Sequence, residues 1–161
     1  QGGLHHINMI DEIIHQTNVK TDELALKIKE KPYHVLKYYG DPAGLQSQSQ
    51  SGLGDIEIFR RKGIVINTKR DRVSKSIASG ISHVRSYIEN AEGQRFFHIH
   101  EKCKGIMMDL ENYRYPEAKE GQDLKPEPLK DGFHDHGCDM IRYFFINRFP
   151  IKQREFKVRA R

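Results

Sequence analysis

An α/β layered domain is the fold class this sequence predicts, and three observations predict it. Short β-branched or aromatic runs alternate with helix-period segments along the whole chain. The apolar residues gather into clear runs, although only 37% of residues are hydrophobic and 30% are charged. At 161 residues the chain fits one domain of ordinary size and can bury a real core.

The elements follow in order. "GGLHHINMIDEII" (2–14) alternates and is rich in Ile, so it reads as a strand or half of a hairpin. "TDELALKIKEK" (21–31) opens on a capping Thr21 with Asp22 and Glu23, repeats Leu24 and Ile28 on one face, and stops at Pro32, as a short helix does. "YHVLKYY" (33–39) is an aromatic, β-branched strand ended by Gly40-Asp41-Pro42. The Gly/Ser/Gln-rich 43–54 reads as a loop. "DIEIFRRKG" (55–63) is a helix closed by Gly63, and "IVIN" (64–67) a short buried strand. Val73, Ile77, Ile81, Val84 and Ile88 recur every three or four residues and predict an amphipathic helix over roughly 71 to 90. "RFFHIH" (95–100) is a strand, and "EKCKGIMMDLENY" (101–113) a helix with Cys103, Met107 and Leu110 inward. Three prolines and eight charges make 116–132 a loop. A helix from Asp135 closes the fold, and a basic tail follows over 151–161.

Lys plus Arg is 27 against 22 Asp plus Glu, a net charge of +5 that suits a polyanionic partner, nucleic acid first. Two cysteines, Cys103 and Cys138, make no disulfide framework and fit a reducing compartment. No apolar stretch approaches the roughly 18 residues that span a bilayer, and no signal peptide opens the chain. The first residue is Gln, as expected of a piece of something longer.

Chemistry-bearing residues concentrate in two places. "FHDHGCDMIRYFF" (133–145) sets two His, two Asp and a Cys at the head of an apolar helix. Asp135 there suits a helix first turn. Asp135 and Asp139 are four apart and His136 and Asp139 three apart, so a helix places all three on one face. Asp41 follows a strand and precedes Pro42, a position that serves equally a turn and a site beyond a strand's carboxyl end. Carboxylates converging from a strand end and a helix start are what Mg²⁺ or Mn²⁺ requires, and a neutral His136 can join for Mn²⁺. Lys69, Arg70, Arg72, Lys75 and Arg85 line the polar side of the long helix and its entry, as a solvated face or as phosphate contacts.

"KYYGDPAG", "INTKRDRVSKSIASGISHVRSYI", "MMDLENYRYPE" and "KDGFHDHGCDMIRYFF" resemble, in the same order, the C-terminal nuclease domain of bacteriophage terminase large subunits. The closing Asp135-His136-Gly137-Cys138-Asp139-Met140-Ile141-Arg142-Tyr143 is the most specific of these, and the resemblance covers nearly the whole chain. It implies a ribonuclease H-like mixed sheet flanked by helices, over a nuclease domain at 1–150 truncated at its N-terminus. It further implies cleavage of double-stranded DNA with two divalent cations, Mg²⁺ or Mn²⁺. Asp41, His136 and Asp139 match the family's site, and Asp135 would orient His136 or bind through water. The family's first strand, with its Asp, would lie upstream of residue 1, so the site as given is one acid short. Asp11 and Glu12 match a strand acid without a direct role. An ATPase domain, a small terminase subunit, a portal protein and a location in the host cytoplasm are implied likewise.

Three other readings compete. A DNA-docking or assembly module would keep the fold without catalysis. A junction-resolving nuclease of the same fold would need its acids on a different closing helix. A structural zinc domain would draw on "HIHEKC" (98–103) and "HDHGC" (134–138), although both cysteines also fit apolar helix positions.

Overall fold

The computed structural model describes residues 5–46, 52–69, 76–117 and 127–151. Its elements run β1 (Ile7–Met9), α1 (Thr21–Glu30), β2 (Tyr38–Tyr39), a 3-10 turn (Pro42–Leu45), α2 (Asp55–Arg61) and β3 (Ile66–Asn67). They continue with α3 (Ile77–Ile88), β4 (Phe97–Ile99), α4 (Lys104–Asn112) and α5 (His134–Arg148). The molecule is α/β, with the expected alternation of elements.

The sheet departs from expectation. Instead of one mixed sheet, the described residues form two separate parallel pairs, β1 with β4 and β2 with β3. Ile7 is opposite Phe97 and Met9 opposite Ile99, while Tyr38 is opposite Ile66 and Tyr39 opposite Asn67. The strands are also shorter than their sequence runs, because ladder bonds reach only where a neighbouring strand lies. Residues 33–37, strand-like in composition, pair with nothing in a ladder, and Leu36 there is 85% exposed.

The core lies between the β1–β4 pair and three helices. Val84 and Tyr87 of α3, Phe97 of β4, Cys103 and Ile106 beside and within α4, and Ile141 and Phe145 of α5 form one cluster. Phe145, fully buried, meets Tyr87 at 4.7 Å and the edge of Phe97 at 5.2 Å between ring centroids. These are the offset and edge-on arrangements that aromatic quadrupoles favour.

Two glycines set how closely the helices approach. A Cβ on Gly137 would overlap Oδ2 of Asp109 and lie 2.7 Å from Ile106 Cδ1, so only glycine lets α5 cross α4 here. On α3, a Cβ at Gly80 would stand 2.7 Å from the Arg142 stem. Arg142 is therefore packed into the α3–α5 seam by its methylenes as well as by its charge.

Several local expectations change. α3 begins at Ile77, with the Ser76 hydroxyl accepting from the Ser79 N–H; residues 70–75, in the anticipated first turns, lie outside the described residues. Lys20, not Thr21, is the N-cap of α1, since the Thr21 hydroxyl donates instead to Asp55 at 2.6 Å. Along α4 the fully buried side chains are Ile106 and Asp109, whereas Met107 and Leu110 are half-buried. Asp109 turns inward because His15 Nε2 meets its Oδ1 at 2.7 Å, an ion-pair geometry that no helical period could reveal.

Candidate functional site

Asp41 stands at the end of β2, where Pro42 turns the chain. It is the N-cap of the 3-10 turn, and its Oδ1 accepts from the Ala43 N–H at 2.8 Å. The turn-forming role is thus real, and the residue is exposed as well. Beside it opens a cavity of about 520 Å³ lined by Tyr39, Asp41, Asp55, Ile56, Phe59 and Ile64 among others.

α5 holds this strand end from below. Asn147 Nδ2 donates to the Gly40 carbonyl at 3.5 Å and to Tyr143 at 2.7 Å. The Arg142 guanidinium lies over the Tyr143 ring, and the Asp41 carboxylate acts on the phenol electrostatically. Burial raises the phenol's pKa first, Arg142 opposes this and Asp41 adds to it, so the hydroxyl stays protonated and able to donate.

The head of α5 is built by acids, though not in the roles expected of them. Asp131 accepts from the Phe133 and His134 N–H groups at 2.9 and 2.8 Å and meets His134 Nδ1 at 2.6 Å. The His134 contact, followed by these backbone bonds, holds the Asp131 carboxyl well below its usual range. Asp135, 5% exposed, turns back to accept from the Gly132 N–H at 2.8 Å. It therefore does not orient His136, which is exposed. At the head of α5 the imidazole that meets an acid is His134, through Asp131. Sharing a helical face was not enough, because the orphan N–H groups before a helix compete for its first carboxylates.

Asp139 is half-buried and bound to cations. Arg142 Nε and Nη2 both donate to its Oδ1, at 3.1 and 2.9 Å, and Lys130 Nζ is 3.4 Å from Oδ2. Arg142 is 3% exposed and lies over the Tyr143 ring at 4.3 Å. Burial disfavours its charge, but Tyr143 and Asp139 outweigh that and hold the guanidinium more firmly protonated. Arg142 therefore joins Tyr143 to Asp139, while the residue before Asp41 is tied to the same helix through Asn147. Arg142 and Tyr143 were visible in the sequence only as part of a motif, although an acid and Arg at i, i+3 is a recognised helix pair.

Among the described residues, no group of three or more His, Cys, Asp or Glu side chains is arranged to hold a metal ion. Asp41, Asp135, His136 and Asp139 are not gathered into one ligand set, since Asp135 and Asp139 are engaged elsewhere and His136 faces solvent. The upstream acids are structural too. Asp11 accepts from Lys31 and Tyr33, which draw its pKa down to about 2, and Glu12 caps α4 by accepting from the Gly105 and Ile106 N–H groups, each at 2.9 Å.

Zinc ligation by the cysteines finds no support. Cys103 Sγ points to the Met9 carbonyl, and burial, reinforced by Asp109 and Asp139, pushes the Cys138 thiol up to about 12. Of the basic residues, Lys69 is half-buried after β3 and Arg85 exposed on α3. Arg70, Arg72, Lys75 and the tail from 152 lie outside the described residues. Compared with protein-family models, curated proteins and solved structures, the chain finds no match in any of the three.

Proposed function

We propose that this chain is the ribonuclease H-like nuclease domain of a viral genome-packaging terminase large subunit, working on double-stranded DNA in the host cytoplasm with Mg²⁺ or Mn²⁺. Its ATPase domain, a small terminase subunit and a portal protein would be its assembly partners. The observation that supports this most is that α5 carries Asp139 and also holds Gly40, next to Asp41, through Asn147, so one helix anchors a strand-end acid and a helix acid. These are hard oxygen donors of the kind both ions take. As they stand they do not make a complete site, with no three-donor group among the described residues.

A second feature bears on what is lacking. Residues 7–9 of β1 and residues 37–39, which are β2 with the residue before it, line an apolar cavity of about 340 Å³ floored by Met140, Ile141, Phe144 and Phe145. Consecutive lining residues mean that strand edges, not faces, border the space. A further strand seated there would join the two ladders, and an acid at its end would come beside Asp41. On this reading residues 1–161 nick plasmid poorly in Mg²⁺ or Mn²⁺, and an upstream extension by one strand restores cutting. Calorimetry of the extended form should show Mn²⁺ binding that Asp139→Asn abolishes. Vigorous Mg²⁺-dependent cutting by the short form, lost in Glu12→Gln, would overturn the assignment.

The Arg142 and Lys130 pairing of Asp139 favours a second reading, a DNA-docking module without catalysis. Intact DNA binding with no cutting by either form would select it. Replacing Lys69, Arg70 and Arg72 together by Ala should then flatten the salt dependence of binding.

A further inference from the structure

We propose that His6 and His98 form a Zn²⁺ site on the open face of the β1–β4 ladder. His6 immediately precedes β1 and His98 is the central residue of β4, directly opposite Asn8. Their rings stack with centroids 5.6 Å apart and planes 12° from parallel. Nδ1 of His6 lies 3.4 Å from Nε2 of His98. Phe96 backs the His6 ring at 5.2 Å, so the imidazole is supported from its own strand pair.

The separation is the informative quantity. Two nitrogens 3.4 Å apart, each about 2.05 Å from a shared ion, subtend about 110° at it, the tetrahedral angle zinc prefers. A right-angled pair at the same bond length would need about 2.9 Å, so the spacing suits zinc better than a square-planar cation. Without metal, one nitrogen donates a proton to the other. The ion takes the place of that hydrogen bond: the donor ring changes tautomer, its proton passing through water to the ring's other nitrogen, and small rotations about the broad second side-chain torsion aim both lone pairs at the ion. The ladder holds the two backbones in register before any ion arrives.

Both rings are exposed, so two coordination positions face water and the ion exchanges freely. Nitrogen donors select borderline cations over Mg²⁺, so this site is chemically separate from the carboxylates of Asp41 and Asp139.

The test is a ZnCl₂ titration of the whole chain, followed through long-range ¹H–¹⁵N spectra of the imidazoles. His6 Nδ1 and His98 Nε2 should shift first. His6→Gln and His98→Gln, which keep side-chain bulk on the surface, should each weaken binding at least about tenfold. Mn²⁺ binding, measured in parallel, should not change in either variant. Zinc that first shifts other histidines, or binds both variants as tightly as the parent, overturns the proposal.

Discussion

The two strand pairs sit in different surroundings. β1–β4 is covered by α3, α4 and α5, and most buried apolar side chains of the described residues are there. Around β2–β3, with α1 and α2, Ala25 and Ile64 are the buried apolar residues among those described, while Leu36 is 85% and Val65 63% exposed. A cavity of about 520 Å³ opens on this second half. The well-packed half carries stability, and the thinly packed half carries Asp41. α5 belongs to both: Phe145 sits in the core, while Phe144 meets Tyr39 of β2 and Asn147 holds Gly40 just beyond it. Placing a candidate site where a rigid helix supports a loosely packed strand end leaves room for a ligand without loosening the core.

Substitutions chosen on either side test this contrast. The largest effect should come from Phe145→Ala, which empties the centre of the aromatic cluster and should cost about 3–5 kcal/mol in chemical denaturation. Amide exchange should then accelerate throughout α3, α4 and α5. Ile64→Ala should cost less, about 2 kcal/mol, because the neighbouring open space lets the site relax. Its exchange effect should stay within α1, α2 and β2–β3. Equal, global effects of the two would merge the halves into one cooperative unit.

Asn147→Ala removes the clamp on Gly40 and should cost about 1 kcal/mol, with faster exchange at Gly40 and Asp41 while α5 keeps its protection. The smallest effect concerns the pair that ties the halves together, Asp11 with Lys31 at 2.8 Å. Lys31, then Tyr33, lowers the Asp11 pKa from 3.8 to about 2. A carboxylate lowered in the folded state stabilises above its ordinary pKa, and that contribution fades as pH falls from about 4 through about 2. Lys31→Met should therefore flatten the acid side of the stability–pH curve. An unchanged slope would show that this half-buried pair is too screened to matter.

Legibility from sequence followed the range of the interaction. The order of helices and strands was readable because propensity and period are local properties, but of the apolar series along α3 only Val84 is buried among the described residues, with Tyr87 beside it and Ile88 39% exposed. The limits of the strands were not readable, since Tyr33–Lys37 has the composition of a strand but no neighbour in a ladder. Asp41 and Asp139 could be picked out by their positions at a strand end and a helix head. What they engage is local, Asp41 capping its own turn and Asp139 pairing with Arg142 three residues on, while tertiary structure wedged the Arg142 stem against Gly80. Asp135 and His136 illustrate the same division. Helical spacing says that neighbouring positions can share a face, but the backbone before the helix took the Asp135 carboxylate and left His136 in water. By itself the sequence determined an α/β chain with acids at two element ends. Which partner a polar group found beyond its own segment was left to the fold, because hydrogen bonds and ion pairs are settled by proximity between residues as far apart as His15 and Asp109.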